Sequence, residues 1–356
     1  MIKTGLNPNI ETLLDVSYPD DIPKGIVRLH LMENPYPLPA NLQKTIVKNL
    51  EAISLNRYPE TTQKNLKEKL RHTFNIPTES DIILGNGSFE ILQNIFLAFN
   101  NANHCFLAYQ PSFFFFFRCA HLFNQKMIGV RPNENIIHAI EKHQPSLIII
   151  DNPNNPMGTI LDEISLEKII QAAPGYVLID EAYFPYGHIT MMPHLAKYPN
   201  LIIVRSVSKI GLAGLRLGFL CCHPDLAASI KKVAPPFNIN AYTASAISTV
   251  LDNFDVIENQ TQEIIKDRDN LYINMQKILG NHVTESHTNF INFSIPGYEA
   301  SDAFDYFLKN NILLFQYRTK PPHPLANHLR VSIGTPDENK KFLGVLTNMV
   351  SNRSPD

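Results

Sequence analysis

The sequence predicts an α/β protein in which helices cover both faces of a mostly parallel β-sheet, together with a smaller α+β domain. Short apolar runs, such as LIIID at 147–151 and YVLID at 176–180, end in polar turns and alternate with helical segments. This pattern is typical of strands that are buried on both faces. After about residue 240 the alternation gives way to long helices and then to a second set of strands and helices. A length of 356 residues agrees with two domains.

The individual elements follow from the same alternation. Strands of the larger domain are predicted at 81–84, 105–109, 147–151, 176–180, 201–204 and 217–222. The helices between them are predicted at 88–99, 112–123 and 164–173. In the second domain, helices extend to residue 279, and strands at 290–295 and 329–333 alternate with helices at 301–309 and 338–349.

Composition along the chain indicates three regions. Residues 1–49 are rich in Pro and Asn, and we expect an N-terminal arm and a first helix, at 42–50, that pack on the body. Residues 50–250 are predicted to form the large domain and residues 251–356 the small C-terminal domain. Five consecutive phenylalanines at 113–117 would point in all directions on a helix, which indicates burial between two layers or at a subunit interface.

Composition and charge exclude several classes of protein. The chain is 44% hydrophobic and 18% charged, which is ordinary for a folded protein. Its 31 Lys and Arg residues balance 33 Asp and Glu residues, so there is no basic footprint for nucleic acid or for a membrane surface. No apolar run approaches the roughly 20 residues of a membrane helix, and the N-terminus lacks the features of a signal peptide. Four cysteines without CxxC spacing indicate reduced thiols, so we expect a cytoplasmic protein without a metal site.

Polar motifs follow four of the predicted strands. GNGS at 85–88 joins a strand to a helix, where glycines and free N–H groups can bind a phosphate. NPNNPMG at 152–158 presents an amide from a rigid turn. DEAY at 180–183 places an acid at the end of a buried strand and a phenol beside it. SVSKIGLAGLR at 206–216 places a lysine in an apolar, glycine-rich passage that ends in an arginine.

Each motif alone also fits a structural explanation: a tight turn, a rigid Pro–Asn turn, a helix cap or ion pair, or a surface lysine. Their combination supplies an anion site, a fixed amide, a buried carboxylate and a lysine that burial makes nucleophilic. Pyridoxal phosphate needs these groups, because it requires a lysine for its aldehyde, an acid for its pyridinium nitrogen and donors for its phosphate.

The order of these motifs resembles that of the fold-type I pyridoxal-phosphate aminotransferases and, within them, the histidinol-phosphate aminotransferases. The resemblance extends from Tyr18 to the last helix. Other passages that carry it are MENPYP at 32–37, NRYPE at 56–60 and LRVSIGTPDEN at 329–339. It implies a homodimer that transaminates histidinol phosphate with 2-oxoglutarate in histidine biosynthesis.

The resemblance also implies roles for particular residues. Lys209 would link to the cofactor and move the substrate proton, and Asp180 would pair with the pyridinium nitrogen. Tyr183 and Asn155 would bind the ring oxygen. The other cofactor contacts implied are the ring-stacking Phe113, the phosphate ligands Gly87, Ser88, Ser206, Ser208 and Arg216, and Tyr58 from the partner subunit. Substrate contacts implied are Arg330, Asn155 and Tyr18.

One departure from the family bears on the substrate. Phe315 stands where the family commonly has the Arg or Lys that helps to bind the substrate phosphate, and Arg318 or Lys320 could take over that role. Three other functions therefore stay open: an aromatic amino-acid aminotransferase, an enzyme like the threonine-phosphate decarboxylases, and a catalytically silent scaffold. Intact Lys209, Asp180 and Arg216 argue against the scaffold, which would need none of them.

Overall fold

The computed structural model of the chain describes residue 5 and residues 7–13, 22–59, 62–317 and 323–352, so that Tyr18, Arg318 and Lys320 lie outside the described residues. The strands are β1 (Val27–Arg28), β2 (Asp81–Gly85), β3 (Cys105–Tyr109), β4 (Lys126–Val130), β5 (Leu147–Asp151), β6 (Tyr176–Asp180), β7 (Leu201–Ser206), β8 (Gly218–Cys222), β9 (Phe290–Phe293), β10 (Ile312–Leu313), β11 (Phe315–Gln316) and β12 (Leu329–Ser332).

The α-helices are α1 (Ala40–Glu51), α2 (Thr62–Thr73), α3 (Ser88–Phe99), α4 (Phe114–Leu122), α5 (Ile136–His143), α6 (Glu163–Ala172), α7 (Phe184–Gly187), α8 (Pro224–Ile230), α9 (Ala241–Leu251), α10 (Asp255–Leu279), α11 (Ala300–Lys309) and α12 (Pro336–Ser351). Short 3₁₀ helices occur at Pro8–Ile10, Met192–Ala196, Val207–Ile210, Ala213–Leu215 and Gly280–His282.

The largest sheet has seven strands in the order β2-β8-β7-β6-β5-β3-β4. Strand β8 runs antiparallel to both of its neighbours, and the other six strands run parallel to one another. In register, Asp151 at the end of β5 pairs with Asp180 at the end of β6. The carboxyl ends of these parallel strands therefore meet at one edge of the sheet, where ligand sites of such folds collect.

Both faces of this sheet are covered by helices, which explains the uniformly apolar strands. Side chains alternate between the faces, as in β5, where Ile148 and Ile150 join one buried cluster while Leu147 and Ile149 join another. The first cluster includes side chains of α2, α5, α6 and α9. The second includes side chains of α3, α4 and α8.

A second, smaller assembly surrounds the three-stranded antiparallel sheet β11-β12-β9. Its core contains the phenylalanine rings of Phe293, Phe307 and Phe342, whose centroids lie 5.2 to 6.3 Å apart. Strand β1 pairs in parallel with β10, so part of the N-terminal region joins this assembly. The predicted boundaries of the arm, the large domain and the small domain, after residues 49 and 250, stay a prediction.

The predicted fold class is confirmed: a mostly parallel sheet lies between helices, and a separate α+β set of elements follows. Several elements, among them the helices α2, α5 and α8, were not predicted, and two further differences concern the start of α4 and the strand β4. Helix α4 begins at Phe114 rather than at 112, because Ser112 Oγ and the Phe113 N–H both donate hydrogen bonds to Asp151. Strand β4 was not predicted, because this edge strand has the mixed sequence KMIGV and is only partly buried.

The phenylalanine run is divided between interior and surface. Phe115 and Phe116 are buried, Phe113 and Phe117 are half-buried, and Phe114 is 41% exposed. Part of the run is therefore buried between layers, which agrees with the first of the two expected explanations, burial between layers or burial at a subunit interface. Within the residues that the structure describes, no helix combines the length and the apolar character that crossing a membrane requires.

A buried ion pair ties β7 to the turn that follows β6. Arg205 Nε and Nη2 donate to Glu181 Oε2 at 3.0 and 2.7 Å. The guanidinium also lies over the Phe184 ring, 4.0 Å from its centroid. Only 6% of the Arg205 side chain and 1% of the Glu181 side chain are exposed, so each charge depends on the other.

Replacing Arg205 with Met keeps an unbranched apolar chain in place of the arginine stem but leaves the buried Glu181 carboxylate without its cation. Breaking one half of a buried pair costs about 3–5 kcal/mol, so we expect Arg205→Met to lower the free energy of unfolding by that amount in urea denaturation. The matched control, Lys197→Met, removes an ion pair with Glu167 in which the lysine is 59% exposed, and it should change little. An Arg205→Met protein as stable as the wild type would contradict this account.

Candidate active site

The candidate site lies at the carboxyl ends of β5, β6 and β7. Asp180, the last residue of β6, is 5% exposed. Its Oδ1 accepts a hydrogen bond from the Ala182 N–H at 2.9 Å, and among the described residues it has no ion pair. Burial, together with the nearby carboxylates of Asp151 and Glu181, raises the pKa of Asp180 to about 7. The strand thus holds an acid that lacks a cation.

Lys209 faces this acid from the 3₁₀ turn that follows β7. Its Nζ donates a hydrogen bond to the Leu31 carbonyl at 3.2 Å and lies 5.8 Å from the centroid of the Tyr183 ring. Burial lowers the pKa of Lys209 to about 8, and the positive charge of Arg330 acts in the same direction. An appreciable share of this amine is therefore neutral near neutral pH, as a nucleophile or a base requires.

The Tyr183 hydroxyl connects several groups of the site. It accepts a hydrogen bond from Asn155 Nδ2 at 3.3 Å and donates one to the sulfur of Met32 at 3.1 Å. Its ring is buried and makes an edge contact with Phe290. Burial holds the pKa of Tyr183 well above its ordinary value, so the hydroxyl keeps its proton and remains a donor.

Asp151 organises two loops of the site, although the sequence analysis assigned it no role. Its Oδ1 accepts hydrogen bonds from Ser112 Oγ at 2.7 Å and Asn154 Nδ2 at 2.8 Å. Its Oδ2 accepts from the N–H groups of Phe113 and Asn155, at 3.2 and 2.8 Å. One buried carboxylate therefore fixes both Phe113 and Asn155.

The predicted phosphate ligands lie around the start of α3. Gly87 precedes this helix with a φ of +81° and supplies no side-chain cap. A Cβ atom on Gly87 would lie 2.5 Å from Nη2 of Arg216, so only glycine allows this approach. Arg216 Nη1 donates to Ser208 Oγ at 3.1 Å, and Ser206 Oγ accepts from the Ser208 N–H at 3.1 Å. A Cβ atom on Gly218, the register partner of Ser206, would lie 2.5 Å from the Ser88 nitrogen.

Arg330 brings a second unpaired charge to the site from β12. It is 4% exposed, and no carboxylate of the described residues pairs with it. Its Nη1 donates to Asn155 Oδ1 and its Nη2 to the His30 carbonyl, at 3.3 and 3.4 Å, while Nε has no partner. The guanidinium lies 4.2 Å from the centroid of the Phe315 ring. A buried guanidinium with free donors is suited to binding an anion.

Two predicted residues lie apart from this cluster or outside the described chain. Tyr58 is 72% exposed, and its ring stacks on that of Phe237 with centroids 4.5 Å apart. Tyr18 lies outside the described residues. The structure therefore brings together the other predicted residues, while Tyr58 points to the surface of its own chain.

Sequence reasoning overlooked Asp151 and Met32. Asp151 ends the apolar run LIIID. An acid at the end of a buried strand was the signal that identified Asp180, and the same signal could have identified Asp151. Met32 belongs to the passage MENPYP, but an apolar side chain at a polar site carries no signal in sequence.

The residues present fit pyridoxal phosphate. The buried, cation-free carboxylate of Asp180 matches a pyridinium nitrogen. The N-terminus of α3, without a side-chain cap and next to the Arg216 guanidinium, matches a phosphate. Lys209, with a lowered pKa, matches an aldehyde.

Comparison with known proteins agrees with this fit. Residues 25–346 match the family Aminotransferase class I and II. The chain is 35% identical to histidinol-phosphate aminotransferase 1 of Ralstonia nicotianae, over 95% of this chain and 96% of that protein. Its fold is similar to that of histidinol-phosphate aminotransferase from Sinorhizobium meliloti in complex with pyridoxal-5′-phosphate, with a TM-score of 0.83, 20% identity and 98% of each chain covered. It is also similar to L-threonine-O-3-phosphate decarboxylase from Porphyromonas gingivalis, with a TM-score of 0.82, 20% identity, and 92% and 100% covered.

The fold and the site thus define a pyridoxal-phosphate-dependent aminotransferase, and the chain belongs to the class I and II aminotransferases. Within that class its family is that of the histidinol-phosphate aminotransferases. The predictions of fold type, enzyme class and cofactor are confirmed. The roles of individual residues stay predictions.

The pKa of Asp180 predicts an unusual dependence of stability on pH. In the folded protein this pKa is about 7 instead of the ordinary 3.8, so the folded state binds the proton more tightly than the unfolded state. Charging Asp180 therefore removes stability as pH rises through this window, and the loss is complete above about pH 7. For the cofactor-free protein, we expect Asp180→Asn to have a Tm several degrees above that of the wild type near pH 8 and no higher near pH 4.

Bound cofactor should reverse the order of the two proteins at pH 8, because the carboxylate then has a cation that an amide cannot pair with. The control is Asp305→Asn, because Asp305 is exposed on α11 and forms no ion pair among the described residues, so that its removal should not shift Tm in a pH-dependent way. If Asp180→Asn lowers Tm equally at both pH values, the carboxylate is not an unpaired acid.

Proposed function

We propose that this aminotransferase transfers the amino group between histidinol phosphate and 2-oxoglutarate, in cytoplasmic histidine biosynthesis. The observation that carries the proposal is the Arg330 guanidinium, which is buried beside Asn155 without a carboxylate partner. Both substrates carry an anionic group near the reacting carbon. In 2-oxoglutarate it is a carboxylate attached directly to that carbon, and in histidinol phosphate it is a phosphate joined to it through a CH2–O link. A single arginine fork can bind either anion in turn.

The relatives support this choice of substrate. Proteins named histidinol-phosphate aminotransferase share 33% to 35% of their residues with this chain over most of its length. Carrying their substrate over to this chain is part of the proposal.

In the proposed site, each residue has one task. Bound pyridoxal phosphate supplies an aldehyde that takes up the amino group and a ring that withdraws electrons from the substrate Cα. Asp180 keeps the ring nitrogen protonated, and Gly87, Ser88, Ser206, Ser208 and Arg216 hold the phosphate. Phe113 packs on the ring. Asn155 and Tyr183 bind the ring oxygen, and Asp151 fixes Asn155 in place through its N–H.

Lys209 is the proposed proton carrier. Its Nζ would take the proton from the substrate Cα while the cofactor holds the amino group, and would carry that proton for return to the reacting atoms. A pKa of about 8 suits both directions, because the neutral amine accepts the proton and the ammonium gives it back near neutral pH. Arg330, from the other side of the site, orients the substrate so that its Cα–H faces this nitrogen.

The proposed enzyme is a homodimer with shared active sites. Tyr58 and Phe237 are 72% and 45% exposed, and their rings stack to form an exposed aromatic pair. We assign the Tyr58 hydroxyl to the cofactor phosphate of the partner subunit. Burial of such an aromatic pair is typical of subunit interfaces.

A second candidate is an aromatic amino-acid aminotransferase. The Arg330 guanidinium is surrounded by three aromatic rings, those of Phe290, Phe315 and Tyr317, at 5.1, 4.2 and 5.7 Å. A phosphate normally binds a second cation in addition to the first. Here the residue beside the Arg330 guanidinium is Phe315, which contributes an apolar ring and no charge. A carboxylate next to an aromatic side chain would also suit such surroundings.

The two candidates are separated by substitutions around the guanidinium. We expect Arg330→Ala to lower kcat/KM for both histidinol phosphate and glutamate. We expect Phe315→Arg to raise kcat/KM for histidinol phosphate relative to glutamate about tenfold, because a charge-assisted hydrogen bond contributes about 1–2 kcal/mol. The control Phe315→Leu removes the ring without adding charge and should not favour the phosphate.

Phenylalanine is the third substrate in this assay. If wild-type enzyme turns over phenylalanine as well as histidinol phosphate, and Phe315→Leu selectively weakens phenylalanine, the aromatic aminotransferase replaces the proposal.

Mixed dimers test the shared site. Tyr58→Phe and Lys209→Ala subunits, each impaired alone, would combine so that one active site carries both lesions and the other carries neither. At full exchange of an equal mixture, about half of the dimers are mixed and each mixed dimer has one intact site. Mixing should therefore restore activity to about a quarter of the wild-type value. Activity that stays at the mean of the two parent proteins, despite exchange proven by differently tagged subunits, would mean that Tyr58 acts on its own chain or not at all.

A further inference from the structure

Met32 has an unusual backbone conformation at the centre of the site. Its φ is +55°, in the left-handed region, and the residue is 8% exposed. Its N–H donates to Ser332 Oγ at 2.8 Å, and its carbonyl accepts from Asn289 Nδ2 at 2.9 Å. Both polar groups of its backbone are therefore held by side chains of the smaller assembly.

This conformation is costly for a methionine. A residue with a Cβ atom in the left-handed region is destabilised by about 1 kcal/mol, and such strain persists where its surroundings enforce it. The result is that the Met32 side chain points into the site, where its sulfur accepts the hydrogen bond from the Tyr183 hydroxyl at 3.1 Å.

The two preceding residues contact the site in the same manner. The His30 carbonyl accepts a hydrogen bond from Arg330, and the Leu31 carbonyl accepts one from Lys209. Three consecutive residues thus touch the three side chains to which substrate binding, proton transfer and ring-oxygen binding are assigned. In this segment, Met32 is the residue that acts through its side chain.

We propose that Met32 is a positioning residue. Its thioether accepts the hydrogen bond of the Tyr183 hydroxyl in the free site and so orients it. When the cofactor is bound, the hydroxyl donates its hydrogen bond to the ring oxygen of the cofactor instead. A thioether is a weak acceptor, whereas a negatively charged oxygen is a strong one. The sulfur can therefore keep the hydroxyl aligned in the free site. Once the cofactor is bound, the sulfur is too weak an acceptor to compete with the ring oxygen for the hydrogen bond. The inference rests on the proposed role of Tyr183.

Other charged or titratable groups also interact with Tyr183. They are Asp151 and Asp180 at the strand ends, Lys209 from its turn, and Arg330 and Tyr317 from the smaller assembly. A substitution at Met32 leaves all of them in place, so a change in the hydrogen bond of Tyr183 can be read separately from them.

The test is a pH titration of the visible absorption of the bound cofactor in the holoenzyme. A hydrogen bond donated to the ring oxygen favours its deprotonated state, so weakening that bond raises the apparent pKa of the bound cofactor. Met32→Gln offers a carbonyl, a stronger acceptor, on a side chain of similar length. We expect it to raise this apparent pKa by about half a unit or more, which is a threefold or larger change in proton affinity, towards the value of Tyr183→Phe.

Met32→Leu is the matched control, because it keeps the volume and removes the acceptor. It should leave the apparent pKa at or slightly below the wild-type value. In the Tyr183→Phe background, Met32→Gln should add no further shift, since the hydroxyl is absent. Thermal melts and cofactor stoichiometry establish that each variant is folded and loaded.

Three results would overturn the inference alone: no shift in Met32→Gln, an equal shift in Met32→Leu, or a full shift in the Tyr183→Phe background. If Tyr183→Phe itself causes no shift, the proposed role of Tyr183 is wrong, and the inference falls with it. None of these outcomes depends on which amino donor the enzyme uses.

Discussion

Buried charged side chains that form no ion pair among the described residues define this site. Asp180 and Arg330 are each 5% exposed or less and lack ion pairs among the described residues. Lys209 interacts electrostatically with both of them, and its pKa is lowered. Burial of single charges is expensive unless a partner completes them. The remaining structure keeps these charges apart and in place until small molecules supply the missing partners.

The scaffold does this by bringing rigid elements together at one edge of the sheet. Parallel strands β5 and β6 end side by side, so their terminal acids are fixed by the backbone register. Asp151 uses all of its accepting capacity to hold loops, whereas Asp180 keeps most of its capacity free. Two chemically identical acids in adjacent positions therefore serve different purposes, because their hydrogen-bond partners differ. The segment 30–32 closes the site from the smaller assembly.

Much of the fold and of the cofactor site could be predicted from the sequence, because the signals are local. Apolar runs identify buried strands, and the motifs that hold Asp180, Lys209 and Gly87 follow them directly. What could not be predicted depends on contacts between distant segments. Met32 touches Tyr183 across 151 positions of sequence, and Arg330 meets Asn155 across 175. The edge strand β4 was missed because its exposure leaves no apolar run.

The central claim is that Lys209 is the amine that captures the cofactor. Reduction of the purified holoenzyme with borohydride, followed by peptide mapping, measures this directly, because reduction makes the link between the lysine and the cofactor permanent. The account predicts a single pyridoxyl group per chain, on the peptide that contains Lys209, with none on any other lysine. A cofactor fixed to another lysine, or a loaded protein that yields no modified peptide, would contradict it.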